Sequence, residues 1–218
     1  MKTFQDFPNL FVYDHPLISH KLSHMRDVNC TTGMFRALLK DISALMTYEV
    51  TSRFPMTTKK IKTPLQDMDA PVLACREPVI VPILRAGLGL VEGPLSVLPD
   101  AVIGHVGLYR DEETHMPHEY LVKMPKEMPV DRYFLVVDPM LATGNSAVHA
   151  TDVLVKRGVD RSRIILMVLV AAPEGVKTYH SHYPEVPIYT ASLDSHLNEH
   201  SYIVPGLGDA GDRIFGTL

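Results

Sequence analysis

Cysteine is scarce in the 218-residue chain: Cys30 and Cys75 are its two thiols, and they stand in no metal-binding or redox spacing. This excludes a disulfide framework and fits a reducing compartment, so neither thiol is assigned a function. Long apolar runs are missing as well. No segment approaches the length of a membrane span, and the opening "MKTFQDFPNLFVYDHP" breaks its aromatics with acids where a signal peptide would need an uninterrupted apolar stretch. The chain is therefore expected in the cytoplasm, without a membrane partner. There is also no cationic excess. With 21 Lys and Arg against 25 Asp and Glu, the net charge of -4 offers no broad basic surface. That argues against nucleic acid as a partner but leaves room for a local basic pocket holding a small anion. Internal repeats, low-complexity tracts and composition breaks are absent too, so one domain over residues 1–218 is expected.

What is present has a clear rhythm. Thr31 or Thr32 can cap a helix whose apolar face is Phe35, Leu38, Leu39, Ile42, Leu45 and Met46, and the polar "RFPMTTKKIKTPLQDMDAP" after it reads as extended or hairpin structure. From Pro78 on, strand and helix alternate. "PVIVPIL", "AVIGHVGLY", "YFLVVD", "RIILMVLVAA" and "PIYTA" read as strands, while "GLGLVEGPLSVL", "NSAVHATDVLVKRG" and "EGVKTYHSHY" read as helices. Continuous Val, Ile and Leu runs belong to strands buried on both faces, which predicts an α/β fold with a parallel sheet flanked by helices. In such sheets ligands bind beyond the carboxyl ends of the strands, here the turns after Leu84, Tyr109, Val137 and Val170.

Three motifs match on paper and fail on context. "GLGDAG", Gly206 to Gly211, has the glycine spacing of a dinucleotide fingerprint, yet only "DRIFGTL" follows it and no βαβ unit fits there. "HLNEH", His196 to His200, has a zinc-peptidase spacing, but a third ligand should lie well downstream and little chain remains; no metal-ligating residue is assigned. "DPMLATGNSA", Asp138 to Ala147, lacks the lysine of a P-loop.

That last stretch still suits an anion. Thr143, Gly144, Asn145 and Ser146 stand where a helix begins, so unpaired N–H groups and two hydroxyls can converge on one phosphate. Asp138 just before them can accept hydrogen bonds from vicinal hydroxyls, as a ribose presents. The alternative is a plain strand-to-helix turn capped by Thr143. Arg85 and Arg110 at neighbouring strand ends favour the phosphate reading, since two guanidinium groups there would suit a pyrophosphate.

The segments "HPLISHKL", "TYEVTSR", "VPILRAGLGL", "DPMLATGNSA", "LVAAPEG", "YTASLD" and "LNEHSYIVPGLGDAGDRIFGT" together resemble the uracil phosphoribosyltransferase family from His15 to the C-terminus. The resemblance implies a type I phosphoribosyltransferase fold, a parallel sheet flanked by helices with a small hood that binds the base. It implies the conversion of uracil and 5-phosphoribosyl 1-pyrophosphate to UMP and pyrophosphate, with Mg2+ and as a homodimer or larger homo-oligomer. GTP, which activates some relatives, is a candidate effector. Carried over by position, Arg85 and Arg110 fall on the pyrophosphate side. Asp138, Pro139, Met140, Leu141, Ala142, Thr143, Gly144, Asn145 and Ser146 fall on the ribose and 5-phosphate, and Ile203, Gly208, Asp209 and Ala210 on uracil. Asp209 also reaches the phosphoribosyl substrate, and Asp209, Arg110 and Arg85 are the catalytic candidates. Asn145 stands where these enzymes usually carry glycine, a substitution that matters if positive φ is needed there.

The chemistry agrees with that assignment. Uracil presents acceptor, donor and acceptor along one edge, and a glycine-rich loop with Pro205 can offer the complement from its backbone, which cytosine would leave unpaired. "RDEETHMPHEYLVKMPKEMP", Arg110 to Pro129, reads either as a lid that excludes water or as an inert exposed hairpin. Two competing functions remain at this level. One is an RNA-binding regulator on the same fold, which the net charge disfavours; the other is transfer to a purine or to orotate, although orotate would need a cation that the Ile203 to Gly211 loop lacks.

Overall fold

The run Ile164–Ala171, IILMVLVA, is buried at every position, as the sequence pattern of a central strand requires. It lies at the heart of a computed structural model that describes residues 1–110 and 117–217, with the side chains of 109, 110, 117 and 118 also left aside. The strands are β1 (Leu10–Val12), β2 (Met56–Lys62), β3 (Asp67–Leu73), β4 (Arg76–Leu84), β5 (Val102–Ile103), β6 (His105–Arg110), β7 (Pro117–Lys123), β8 (Arg132–Leu141), β9 (Ile164–Ala171), β10 (Ile188–Leu193), β11 (His196–Leu197) and β12 (Ile203–Val204). The helices are α1 (Pro16–Arg26), α2 (Thr32–Thr51), α3 (Glu92–Val97), α4 (Asn145–Lys156), α5 (Pro173–His182) and α6 (Ala210–Phe215).

An eight-stranded sheet runs in the order β1-β10-β9-β8-β4-β6-β7, with β5 also on β4. Every pairing in it is parallel except β6 with β7, which closes one edge antiparallel. The register sets Val137 of β8 between Pro82 of β4 and Met167 of β9. Alternate side chains then serve two cores. Leu135, Val137, Ile165, Met167 and Leu169 meet Ile18 and Leu22 of α1, Phe35, Leu39 and Ile42 of α2, and Ile214 of α6. Phe134, Val136, Leu166 and Val168 meet Ala150 and Leu154 of α4 and Val176 and Tyr179 of α5 on the opposite face. Burying one such Leu, Ile or Phe contributes roughly 1.5–3 kcal/mol, so the two helical layers hold the sheet from both sides.

Several boundaries differ from the sequence reading. The helix expected at "GLGLVEGPLSVL" is a 3-10 turn, Ala86–Leu90, followed by the short α3, because three glycines and Pro94 oppose a continuous helix. The strand expected at "AVIGHVGLY" divides at Gly104 into β5 and β6. β8 runs on past Asp138 to Leu141, so the carboxylate stands within the strand and not at its end. The sheet is mostly, not wholly, parallel, and its β1 edge comes from residues ahead of His15 that the resemblance did not cover. Thr31 caps α2, its hydroxyl accepting the Met34 N–H at 3.3 Å, and β2 pairs antiparallel with β3 as an exposed hairpin. No helix among the described residues is long and apolar enough to cross a membrane.

Candidate active site

The turn after β8 is built around Gly144. Its φ of +87° is open to glycine, and a Cβ there would lie 2.7 Å from the Gly175 carbonyl oxygen. Asn145 has ordinary backbone: it is the first residue of α4, so the positive angle considered for it falls one residue earlier. The first N–H groups of α4 have no partner within the helix, and with the positive end of the helix dipole they form a ready anion site. Asp138 stands three residues before the end of β8, where one carboxylate oxygen accepts the Met140 N–H at 3.3 Å.

Facing this turn is a small antiparallel pair, β11 with β12, and the loop that leads from it into α6. Asn198 shapes the hairpin: its side-chain oxygen accepts the N–H groups of His200 at 3.0 Å and Tyr202 at 2.9 Å. Ser201 takes a φ of 62° at the tip. The Val204–Pro205 peptide is cis, as is Leu84–Arg85 across the site. Asp209 caps α6, accepting the Asp212 N–H at 3.0 Å.

A cavity of about 410 Å3 lies between the two walls. Asp138, Met140, Leu141, Ala142, Thr143, Gly144 and Ser146 line one side of it, and Ile203, Gly208, Asp209 and Ala210 the other. Pro139, Asn145 and Arg85 do not line it. Arg85 is exposed at the end of β4, its guanidinium 5.7 Å from the centre of the Phe215 ring, while the adjacent Ala86 does face the cavity. Arg110 closes β6, but its side chain lies outside the described residues, as does the part of the expected lid at 111–116.

Sequence reasoning missed His200, Ser201 and Tyr202, which line the same cavity from the hairpin tip, as well as Ala86, Ala147 and Gly211. It also missed what holds the loop. Arg26 grips Asp194 with both terminal guanidinium nitrogens, Nη1 and Nη2, and donates to the Gly206 carbonyl, and Arg213 donates to the Leu207 carbonyl at 2.9 Å. Arg26 and Arg213 belong to no motif spacing, so nothing local could have found them. "HLNEH" is no helix: His196 is in β11 and His200 in the following turn, so its two histidines are not one helical turn apart. Among the described residues no group of three or more His, Cys, Asp and Glu could hold a metal ion.

Comparison with known proteins agrees with this geometry. A sequence profile described as "Uracil phosphoribosyltransferase" matches residues 12–217. A uracil phosphoribosyltransferase of Rhodospirillum centenum is 62% identical over 217 residues, 100% of each chain, and one of Paraburkholderia phymatum is 58% identical over 97% of this chain and 96% of its own. Among solved structures, the AQ2163 protein of Aquifex aeolicus superposes with a TM-score of 0.88 at 34% identity, covering 94% of this chain and 97% of that one. An adenine phosphoribosyltransferase of Trypanosoma brucei shares the fold, with a TM-score of 0.59 at 13% identity over 96% of this chain and 92% of its own. With its full length matched at this identity, the chain belongs to the uracil phosphoribosyltransferase family.

Proposed function

We propose that this chain is a uracil phosphoribosyltransferase that transfers the phosphoribosyl group of 5-phosphoribosyl 1-pyrophosphate to uracil, giving UMP and pyrophosphate. The observation that carries the reading is the single cavity shared by the Asp138–Ser146 wall and the Ile203–Ala210 wall, in a chain of that family. A cavity of about 410 Å3 suits a ligand of small-molecule size.

The assignment of roles follows from chemistry. Thr143, Gly144, Asn145 and Ser146 hold the 5-phosphate by N–H and hydroxyl groups at the start of α4, with Pro139 to Ala142 leading in and Asp138 on the ribose hydroxyls. Ile203, Gly208, Asp209 and Ala210 read the uracil edge through the backbone. Arg85 and Arg110 stand at the ends of β4 and β6, on the side where pyrophosphate departs. In the reaction the bond from the anomeric carbon to pyrophosphate breaks and uracil N1 takes its place, with the N1 proton lost to solvent or to the departing pyrophosphate. No enzyme nucleophile is required. The walls orient the two reactants and keep water from the anomeric carbon, which accounts for much of the acceleration in such transfers.

Mg2+ fits the donor set: this ion takes one or two carboxylates together with substrate phosphates and water, and Asp138 and Asp209 both face the cavity. Bound with the substrate, it supplies charge neutralisation on the departing pyrophosphate. The same reading includes GTP as an effector, one domain over residues 1–218, a cytoplasmic site of action and a homodimer or larger homo-oligomer. The exposed hairpin supports assembly, since Met56, Ile61, Met68 and Leu73 present apolar surface there.

The test is a base panel with Mg2+ and 5-phosphoribosyl 1-pyrophosphate, run with and without GTP and read by chromatography. UMP forms from uracil. Product from another base, and none from uracil, overturns the assignment.

A further inference from the structure

The loop that carries Gly208, Asp209 and Ala210 to the cavity is held from behind by charge. Arg26, the last residue of α1, meets Asp194 as a fork: Nη1 donates to Oδ2 at 2.7 Å and Nη2 to Oδ1 at 2.6 Å. The Asp194 side chain is 2% exposed and that of Arg26 22%, so the pair is largely shielded from water. The same two side chains reach one residue of the loop. Arg26 Nη1 donates to the Gly206 carbonyl at 2.6 Å, and Asp194 Oδ2 accepts the Gly206 N–H at 2.9 Å. Ser192 Oγ, at 2.7 Å from Asp194 Oδ1, completes the set around the carboxylate.

Gly206 cannot escape this grip by becoming another residue. Its φ is +57°, and a Cβ would collide with the Ile203 carbonyl oxygen. One position on, Arg213 donates to the Leu207 carbonyl at 2.9 Å and to the Asp27 carbonyl at 2.7 Å, with its guanidinium 4.7 Å above the centre of the Phe35 ring. Two successive loop carbonyls are thus engaged by arginines, Arg26 from the C-terminal end of α1 and Arg213 from α6, and the cavity-lining part of the loop begins at Gly208.

We propose that Arg26 and Asp194 are positioning residues for the base: they hold the N–H and the C=O of Gly206 together and thereby set where Gly208, Asp209 and Ala210 meet uracil. Neither touches the reacting atoms. The inference rests on the reading of the cavity given above. A lysine at position 26 would keep the charge but lose the planar fork, which alone can serve both carboxylate oxygens and the carbonyl.

The test compares Asp194→Asn and Arg26→Lys with the unaltered chain, measuring KM for uracil, KM for 5-phosphoribosyl 1-pyrophosphate and kcat, with thermal melting to verify folding. Displacing the loop raises the uracil KM about tenfold in Asp194→Asn and about fivefold in Arg26→Lys. The KM for 5-phosphoribosyl 1-pyrophosphate rises by less, about twofold to threefold, because the Asp138–Ser146 wall is untouched and Asp209 is the residue of this loop assigned to that substrate. A folded variant with unchanged uracil KM, or with both KM values rising in parallel, overturns the proposal. If Asp194→Asn does not fold, Arg26→Lys decides. Failure of the functional reading itself is distinguished in the same assay, as the unaltered chain would then make no UMP.

Discussion

The Glu174 carboxylate accepts the Leu197 N–H at 3.0 Å, joining the first turn of α5 to the hairpin that forms the base side of the cavity. That bond is the main cause holding the Glu174 carboxyl below the ordinary glutamate range. Glu174→Ala removes the tie and raises the uracil KM about threefold, while Glu174→Gln, which keeps an acceptor oxygen, stays close to the unaltered chain. Steady-state kinetics with uracil varied reads both.

Asp209 has two duties that substitution separates. As cap of α6 it accepts the Asp212 N–H, and as a cavity residue it is assigned to substrate. Asp209→Asn keeps a good capping side chain and so keeps the melting temperature, yet lowers kcat by about a hundredfold. Asp209→Ala loses turnover as well and costs about 1 kcal/mol of stability. Near-normal turnover in Asp209→Asn would remove the carboxylate from the chemistry.

The turn at Gly144 and its neighbour should respond oppositely to small changes. Gly144→Ala places a side chain at a φ of +87° against the Gly175 carbonyl, costing about 1–3 kcal/mol and raising the KM for 5-phosphoribosyl 1-pyrophosphate. Asn145→Gly, at a helical position, costs at most about 1 kcal/mol and leaves that KM nearly unchanged. Melting curves and substrate titrations of the two variants make the comparison.

Acid should weaken the grip on the base loop. Burial alone would raise the Asp194 carboxyl, but hydrogen bonds from Arg26, Ser192 and Gly206, with the Arg26 charge, outweigh it and hold the group below the ordinary aspartate range. A depressed folded value means the unfolded chain binds the proton first, so the contribution is complete above roughly pH 4 and is lost as pH falls through the folded value. Asp194→Asn should therefore flatten the dependence of melting temperature on pH below about pH 4. An unchanged acid limb in that variant would contradict the assignment.

Most of the architecture could be read in the chain because strands buried on both faces declare themselves by unbroken apolar runs, as in Ile164–Ala171. The phosphate wall could be read for a related reason: Asp138 to Ser146 lie within one strand, one turn and one helix start. The hairpin tip at His200 to Tyr202 gave no such signal, since it lines the cavity by virtue of how Asn198 folds its own turn. Arg26 and Arg213 were illegible for a different reason. Arg213 acts through contacts with carbonyls, which carry no residue type to match, and Arg26 reaches across 168 positions to Asp194 and 180 to Gly206. β1 was missed because a short edge strand is defined by its neighbour more than by its own pattern, and β7 is legible only as part of a lid or hairpin over Arg110 to Pro129.

That separation of 180 positions between Arg26 and Gly206 has a kinetic consequence. Contacts between residues so distant must wait until the intervening sheet exists, whereas the turn from Asp138 into α4 closes locally. The turn from Asp138 into α4 is therefore expected to close before the grip of Arg26 on the base loop forms. The expected outcome in mild denaturant is that uracil binding is lost before binding of the sugar phosphate, which titrating each ligand across a urea series would read.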